Sequence, residues 1–253
     1  MLDRLLAPGP RPPLLAFDYD GVLAPLVPDP GGAHMSPLTR ALLGELVRRF
    51  PVAVISGRSF ARLHRMVGKV APYLVGNHGA EYLRREAVPR SVLLDVRRWE
   101  GEMMGALRRV AGVSLEHKHS TFAVHYAQAR DPVRAGRAVH RAARALRGVR
   151  LVPGKKLVNV LPAAFPTKGD ALRKLLGDLG CRRALFVGDD VTDEDVFALP
   201  ARLVLGVHVG SGPTRARWRV PFRDDVDALL ECILELSRHR GSGPGRRRAE
   251  GGG

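Results

Sequence analysis

Cysteine is nearly absent from this chain. The two present in 253 residues, Cys181 and Cys232, fit no metal-ligand spacing, which leaves neither a disulfide framework nor a structural zinc site. Both read as small buried apolar residues. Aromatic residues make up only 6% of the chain, and no aromatic-rich strand of the RNA-binding kind occurs. Long apolar runs are missing too: Leu203–Val209 falls far short of the roughly 20 residues that a membrane-spanning helix needs. The N-terminal stretch MLDRLLAPGPRPPLLAF is broken by prolines and has no signal-peptide core. These absences predict a cytoplasmic protein without a membrane partner. Lysine is scarce as well, at six of the 41 basic residues. A formal charge of +16 permits nucleic-acid or anionic-substrate binding, but the arginines are spread through the helical stretches rather than gathered in one run. That favours solvated basic faces and no nucleic-acid partner.

What remains is ordinary for a soluble globular chain: 45% hydrophobic and 26% charged residues, with length for one large domain or a domain carrying a smaller one. A monomer is the expectation. Residues 14–17, LLAF, form a short apolar run stopped by Asp18, as in a buried strand of a parallel sheet. Ser36-Pro37 opens a helix with Leu38, Leu42, Leu46 and Phe50 at helical spacing, ended by Pro51. Strand VAVI (52–55) leads to Ser56-Gly57-Arg58, then a helix to about Val67, then strand YLV before Gly76-Asn77-His78-Gly79. From about Val88 to Leu161 the pattern changes. Helical stretches near 95–110 and 133–147 alternate with strand-like STFAVHY and KKLVNVL, an α+β module. The first pattern then returns: a capping box at Thr167 and Asp170, strand ALFV before Gly188-Asp189-Asp190, a strand over Leu203–Val209, and a helix over Asp225–Leu236. The predicted fold is α/β, a Rossmann-like doubly wound parallel-sheet core with an inserted small α+β cap domain. The boundaries are 1–87 and 162–240 for the core, 88–161 for the cap, and 241–253 for a disordered tail.

Carboxylates gather at the predicted strand ends. Asp18 and Asp20 are two apart in extended backbone and so address one crevice, and ligands of such sheets bind beyond the carboxyl ends of the strands. Gly188-Asp189-Asp190-Val191-Thr192-Asp193 repeats the arrangement after a second strand. Such a cluster needs a cation, and Mg²⁺ suits two or three carboxylates completed by water and phosphate oxygen. Phosphoryl transfer then assigns Asp18 as nucleophile, Asp20 as acid and base, Ser56 and Lys168 as phosphate holders, and Asp189 as a metal ligand. Each piece alone has a plainer explanation: Asp-x-Asp-Gly is usually a turn, Asp189, Asp190 and Asp193 can cap a helix, and a Lys-Gly pair is usually surface. Four pieces in this order, each beyond a strand or opening a helix, are hard to explain as turns.

The ordered set DYDGVL, SGR, KGD and GDDVTDEDVF resembles the four motifs of the haloacid dehalogenase superfamily. GDDVTDEDVF, GNHGAEY and the GKK ahead of the third motif resemble the trehalose-6-phosphate phosphatases, over roughly residues 14–210. The resemblance implies a Rossmann-like core with a cap between the second and third motifs. It implies Mg²⁺ held by Asp18, the backbone carbonyl of Asp20, and Asp189, with Asp190 and Asp193 behind them. On the sugar side it implies Gly57, Arg58, His78 and Glu81 at the core entrance, and Glu116, Lys118 and Lys155 on the cap.

Two features depart from that pattern. Gly154-Lys155-Lys156-Leu157-Val158-Asn159 carries an amide where the family has a glutamate, and Ala127-Gln128 follows His125-Tyr126 where an arginine is usual. Both lie on the specificity side. Hydrolysis of trehalose 6-phosphate is therefore the leading expectation. A phosphatase for another glycosyl phosphate is the alternative, and a non-catalytic binding or regulatory homologue the third. His117, His119 and His125 alternate at even spacing and read as one polar face of a cap strand rather than a metal site.

Overall fold

The computed structural model describes Leu2 and residues 11–27, 32–82 and 88–241. The expected tail lies outside the described residues from 242 onward.

Strand β1 (Leu14–Phe17) is fully buried along its length. Its odd residues Leu15 and Phe17 enter one hydrophobic cluster, and its even residues Leu14 and Ala16 enter the other. A strand covered on both faces needs no polar positions, which is why LLAF reads as an unbroken apolar run. β1 lies centrally in a seven-stranded sheet of order β11-β10-β9-β1-β2-β3-β4. The chain runs outward from β1 through β2 (Val52–Ile55), β3 (Tyr73–Gly76) and β4 (Glu81–Tyr82). It later restarts on the other side of β1 with β9 (Ala184–Gly188), β10 (Val204–Val209) and β11 (Trp218–Val220). β1 is parallel to both neighbours, and only β4 runs antiparallel. Strand order thus reverses between β1 and β9, and the crevice beyond their carboxyl ends is where such sheets bind ligands.

Helices α1 (Pro37–Val47), α2 (Phe60–Val67), α5 (Lys168–Asp178), α6 (Glu194–Phe197) and α7 (Asp225–Gly241) belong to this sheet unit. Ser36 caps α1, its side chain accepting from the Thr39 amide, with Pro37 in the first turn. The buried stripe of α1 is Thr39, Leu43 and Leu46, while Leu38 is exposed and Phe50 lies beyond the helix end. Of the expected stripe, Leu46 is buried and Leu42 and Phe50 lie partly buried against the same cluster, so Leu38 alone departs from it. Cys181 is buried, but Cys232 is exposed on α7, whose inward residues are Val226, Leu230, Ile233 and Leu234.

Residues between β4 and α5 build a second, four-stranded antiparallel sheet, β5 (Ser114–His117), β6 (Phe122–His125), β7 (Val149–Gly154) and β8 (Leu157–Pro162), of order β5-β6-β8-β7. Helices α3 (Arg90–Leu107) and α4 (Pro132–Ala145) cover one face, where Phe122, Val124, Val158 and Val160 meet Val96, Trp99, Met103 and Val139. A cross-strand row, Glu116–Ala123–Asn159–Val152, lies on the opposite face. Glu116 and His117 thus lie within a strand rather than ahead of one. His117 and His125 are not one polar face: His117 pairs with Phe122 and bonds Glu100 of α3, whereas His125 bonds Glu116 on the other side. Counting by twos through the intervening turn does not preserve the face. No helix among the described residues is long and apolar enough to cross a membrane.

Candidate active site

Asp18 follows β1 directly, its amide bonded to Val187 of β9, so it stands at the reversal point of the sheet. Its two oxygens are held differently. Oδ1 accepts from the Tyr19 amide at 2.6 Å, and Oδ2 accepts from Lys168 Nζ at 2.6 Å. Lys168, wholly buried at the first turn of α5, also donates to Asp193 Oδ1 at 2.8 Å. Thr167 and Asp170 form the capping box that starts α5 there, which makes the lysine's position a consequence of helix initiation. Asp193 is the hub on the other side: its Oδ2 accepts from the amides of Asp189 and Asp190 at 2.9 and 3.0 Å.

Glycines let these carboxylates approach. Gly21 has φ +74, and a Cβ there would lie 2.0 Å from Asp189 Oδ2. A Cβ on Gly188 would lie 2.4 Å from Asp193 Cγ. Asp18, Asp189 and Asp193 can bring one oxygen each within 4.8 Å of one another. Burial pushes the Asp18 carboxyl well above its usual range, with Asp193 and Asp189 adding to this and Lys168 opposing it. Burial, then Asp193, push Asp189 up to about 7, with Asp190 and Asp20 adding to this and Lys168 opposing it. Burial works against the Lys168 charge, but Asp18 and Asp193 together raise its pKa. Three clustered carboxylates against one ammonium leave negative charge that a hard divalent cation would neutralise. The residues fit such an ion: the Asp189 carboxylate accepts no protein hydrogen bond among the described residues and has an oxygen within 4.8 Å of one on Asp18, while Asp193 already has both oxygens occupied.

The loops after β2 and β3 clasp each other beside this cluster. Ser56 is buried and its Oγ accepts from the Arg58 amide at 3.2 Å; its carbonyl receives the His78 amide, and the Arg58 carbonyl receives that of Asn77. Asn77 and His78 take left-handed φ values of 46 and 57, a conformation uncommon for non-glycine residues and held here by those bonds. The His78 ring lies over Gly57, where a Cβ would fall 2.3 Å from its Cε1. Both ring nitrogens of His78 are buried without a partner. Burial, then Lys168, Lys118 and Arg150, push its pKa well below the ordinary value. Arg58 grips Asp20 with two bonds, Nε to Oδ2 at 2.7 Å and Nη2 to Oδ1 at 2.5 Å. Glu81 has both oxygens engaged by the protein, one by the Phe60 amide and one by Asn77 Nδ2.

The open face of the second sheet approaches this end of the core. Arg62 of α2 lies 4.0 Å from Glu116, and Asn77 Nδ2 reaches the Lys118 carbonyl at 3.4 Å. Lys118 Nζ donates to Asn159 Oδ1 at 3.0 Å and lies 3.9 Å from Glu116. The hydrogen bond from His125, with Lys118 and Arg62 nearby, holds Glu116 down at about 2 against the opposing effect of burial. Asn159 is buried, its Nδ2 directed to the Val152 carbonyl at 3.4 Å. Lys155 lies exposed in the β7–β8 turn and bonds to none of these. His125 and Arg62 were missed as members of this group. Neither carries a local sequence signal, since each arrives through strand pairing or from the other sheet unit.

The fold and the carboxylate-lysine site define a chain with the haloacid dehalogenase architecture. The structure of a phosphatase of that superfamily from Bacteroides thetaiotaomicron matches it with a TM-score of 0.63 at 14% identity, covering 88% of this chain and 94% of that one. The C-terminal domain of Candida albicans trehalose-6-phosphate phosphatase matches with a TM-score of 0.76 at 24% identity, covering 93% and 96%. These likenesses carry the fold. The chain belongs to the trehalose-phosphatase family, whose model matches residues 16–219. Trehalose-phosphate phosphatase of Mycobacterium marinum is 33% identical over 240 residues, which cover 90% of this chain and 58% of the relative. The chain thus spans less than two thirds of that curated relative.

Proposed function

We propose that this chain hydrolyses trehalose 6-phosphate to trehalose and phosphate through a phosphorylated Asp18. The observation that carries the reading is the Lys168 ammonium bonded to both Asp18 and Asp193 at the sheet's reversal point. Lys168 holds the Asp18 carboxylate in one orientation and offsets charge where a phosphoryl group would arrive. Asp18 Oδ1 is fixed by the Tyr19 amide, so the attacking carboxylate has little rotational freedom to lose. In this reading Asp18 attacks phosphorus, the leaving alkoxide takes a proton from Asp20, and Asp20 then removes a proton from the water that hydrolyses the acyl phosphate. Ser56 and Lys168 bind phosphate oxygens. Asp18, Asp189 and the Asp20 carbonyl would hold Mg²⁺, which would neutralise charge at the phosphoryl oxygens. Asp193 orients the Asp189-Asp190 backbone and Lys168 together, and Asp190 supports the same turn.

Residues 88–161 serve as the cap in this proposal. Glu116, Lys118, Lys155 and Asn159 read the sugar from above, while Gly57, Arg58, His78 and Glu81 shape the entrance from below. Enclosure by both halves excludes water during transfer. A second reading, a phosphatase for another glycosyl phosphate, is favoured by Asn159, whose amide already serves Lys118 and Val152. Phosphate release from a panel of sugar phosphates, with and without Mg²⁺, tests both. The first reading requires trehalose 6-phosphate to lead the panel only when Mg²⁺ is present. Release from another glycosyl phosphate alone establishes the second, and no release from any member overturns both.

A further inference from the structure

A cavity of about 740 Å³ lies outside the catalytic crevice, lined by Tyr126, Arg137, His140, Arg141, Arg144 and Lys156. Its wall is one face of α4. Arg134, Arg137, Arg141 and Arg144 follow one another at three- and four-residue intervals, so they share a helix face, and all four are exposed. The arginines that look dispersed in the sequence are gathered here. Helix α4 contains no Asp or Glu between Pro132 and Ala145, and none of the four guanidinium groups is paired among the described residues. Basic residues on three other helices have an acidic neighbour one turn away: Arg48 has Glu45, Arg98 has Asp95, and Lys174 has Asp178. Like charges at this spacing repel, and α4 carries nothing that relieves them.

The floor is built as well as charged. A Cβ on Gly136 would lie 2.9 Å from Tyr126 Cε2, so the absent side chain lets the Tyr126 ring lie against the helix. His140 packs edge-on to that ring, with centroids 6.4 Å apart. Tyr126 and His140 thus add ring surface to the same lining as Arg137, Arg141, Arg144 and Lys156.

We propose that this cavity binds a small oligophosphate, an anion with two or more adjacent phosphate groups. Guanidinium forks match phosphate oxygens in pairs, and Arg137, Arg141, Arg144 and Lys156 supply more positive charge than a single orthophosphate balances. The volume falls within the roughly 300–1,000 Å³ of small-ligand sites. A nucleic-acid strand would instead follow cations along an extended groove. Here the stripe ends at Asp131, whose carboxylate caps α4 and would repel a continuing backbone.

Calorimetric titration of the full chain with inorganic tripolyphosphate, in chelator at about 0.1 M salt, tests this. Arg137→Gln/Arg141→Gln should weaken binding at least tenfold without lowering the melting temperature and with Mg²⁺-dependent turnover unchanged. Should that pair fail to fold, Arg144→Gln alone should still weaken binding severalfold. Unchanged affinity in the folded variants would assign the binding to the catalytic crevice and overturn the proposal. So would orthophosphate binding as tightly as tripolyphosphate, or a short single-stranded oligonucleotide displacing it at lower concentration.

Discussion

Arg58 closes on Asp20 like a two-pronged clamp, with bonds of 2.7 and 2.5 Å to its two carboxylate oxygens. A bidentate pair of this kind fixes the direction of the Asp20 carboxyl group. In the proposed reaction Asp20 protonates a departing sugar alkoxide. Asp20→Asn should then lower kcat on a sugar phosphate by about 10²–10⁴-fold. The loss on p-nitrophenyl phosphate, whose leaving group needs no proton, should be at least tenfold smaller. Equal losses on the two substrates would remove Asp20 from protonation of the leaving group.

Asp18→Asn should abolish turnover, because the amide retains shape and cannot attack phosphorus. Substrate binding should survive, and calorimetry on the variant measures it. Beryllium fluoride should label Asp18 in the wild-type chain. Asp189→Ala should require far more Mg²⁺ for half-maximal rate or fail altogether, and excess chelator should silence the wild type.

Lys168 is buried between two carboxylates. Lys168→Met should abolish activity and destabilise the metal-free chain by about 3–5 kcal/mol, since Asp18 and Asp193 are left buried and unpaired. Mg²⁺ should restore part of that stability by neutralising Asp18. Urea unfolding with and without Mg²⁺ checks both statements, and a metal-independent loss would contradict the cation site.

His78 gives a pH signature. Its folded pKa is depressed, so the folded state stays neutral while the unfolded imidazole takes up a proton below its ordinary value of about 6.5. The unfolded state therefore binds more protons below that pH. The His78 contribution to stability is lost as pH falls below about 6.5, by up to about 1.4 kcal/mol per pH unit, and is flat above it. His78→Gln should remove this slope between pH 5 and 6.5 in chelator-containing denaturation curves. An unchanged slope would place the uptake on another group.

Asn159 carries the substrate question. Its Oδ1 accepts from Lys118, on the sheet face that also bears Glu116. A carboxylate there would accept stronger bonds than an amide, about 1.5–3 against about 1 kcal/mol. If trehalose 6-phosphate is the substrate, Asn159→Glu should lower its KM roughly tenfold with kcat nearly unchanged. If the chain acts on another glycosyl phosphate, the same change should damage activity on that one. No response from any member of the panel would remove Asn159 from the site.

The sequence alone determined the layered core. β1, β2 and β9 are short apolar runs ending in Asp, Ser and Gly-Asp, and these local signals survive folding because a strand buried on both faces tolerates no polar residue. The capping box at Thr167 likewise announced the helix that presents Lys168. Only the tertiary structure decided which groups meet. The Lys168–Asp18 contact joins residues 150 apart, and the Asp20–Arg58 clamp joins residues 38 apart; each partner depends on strand order, which no local pattern encodes. His117 and His125 separated onto opposite faces because pairing register, not spacing along the chain, assigns a side. The arginines of α4 became one surface for the same kind of reason: a helix gathers at three and four residues' distance what the written sequence holds apart.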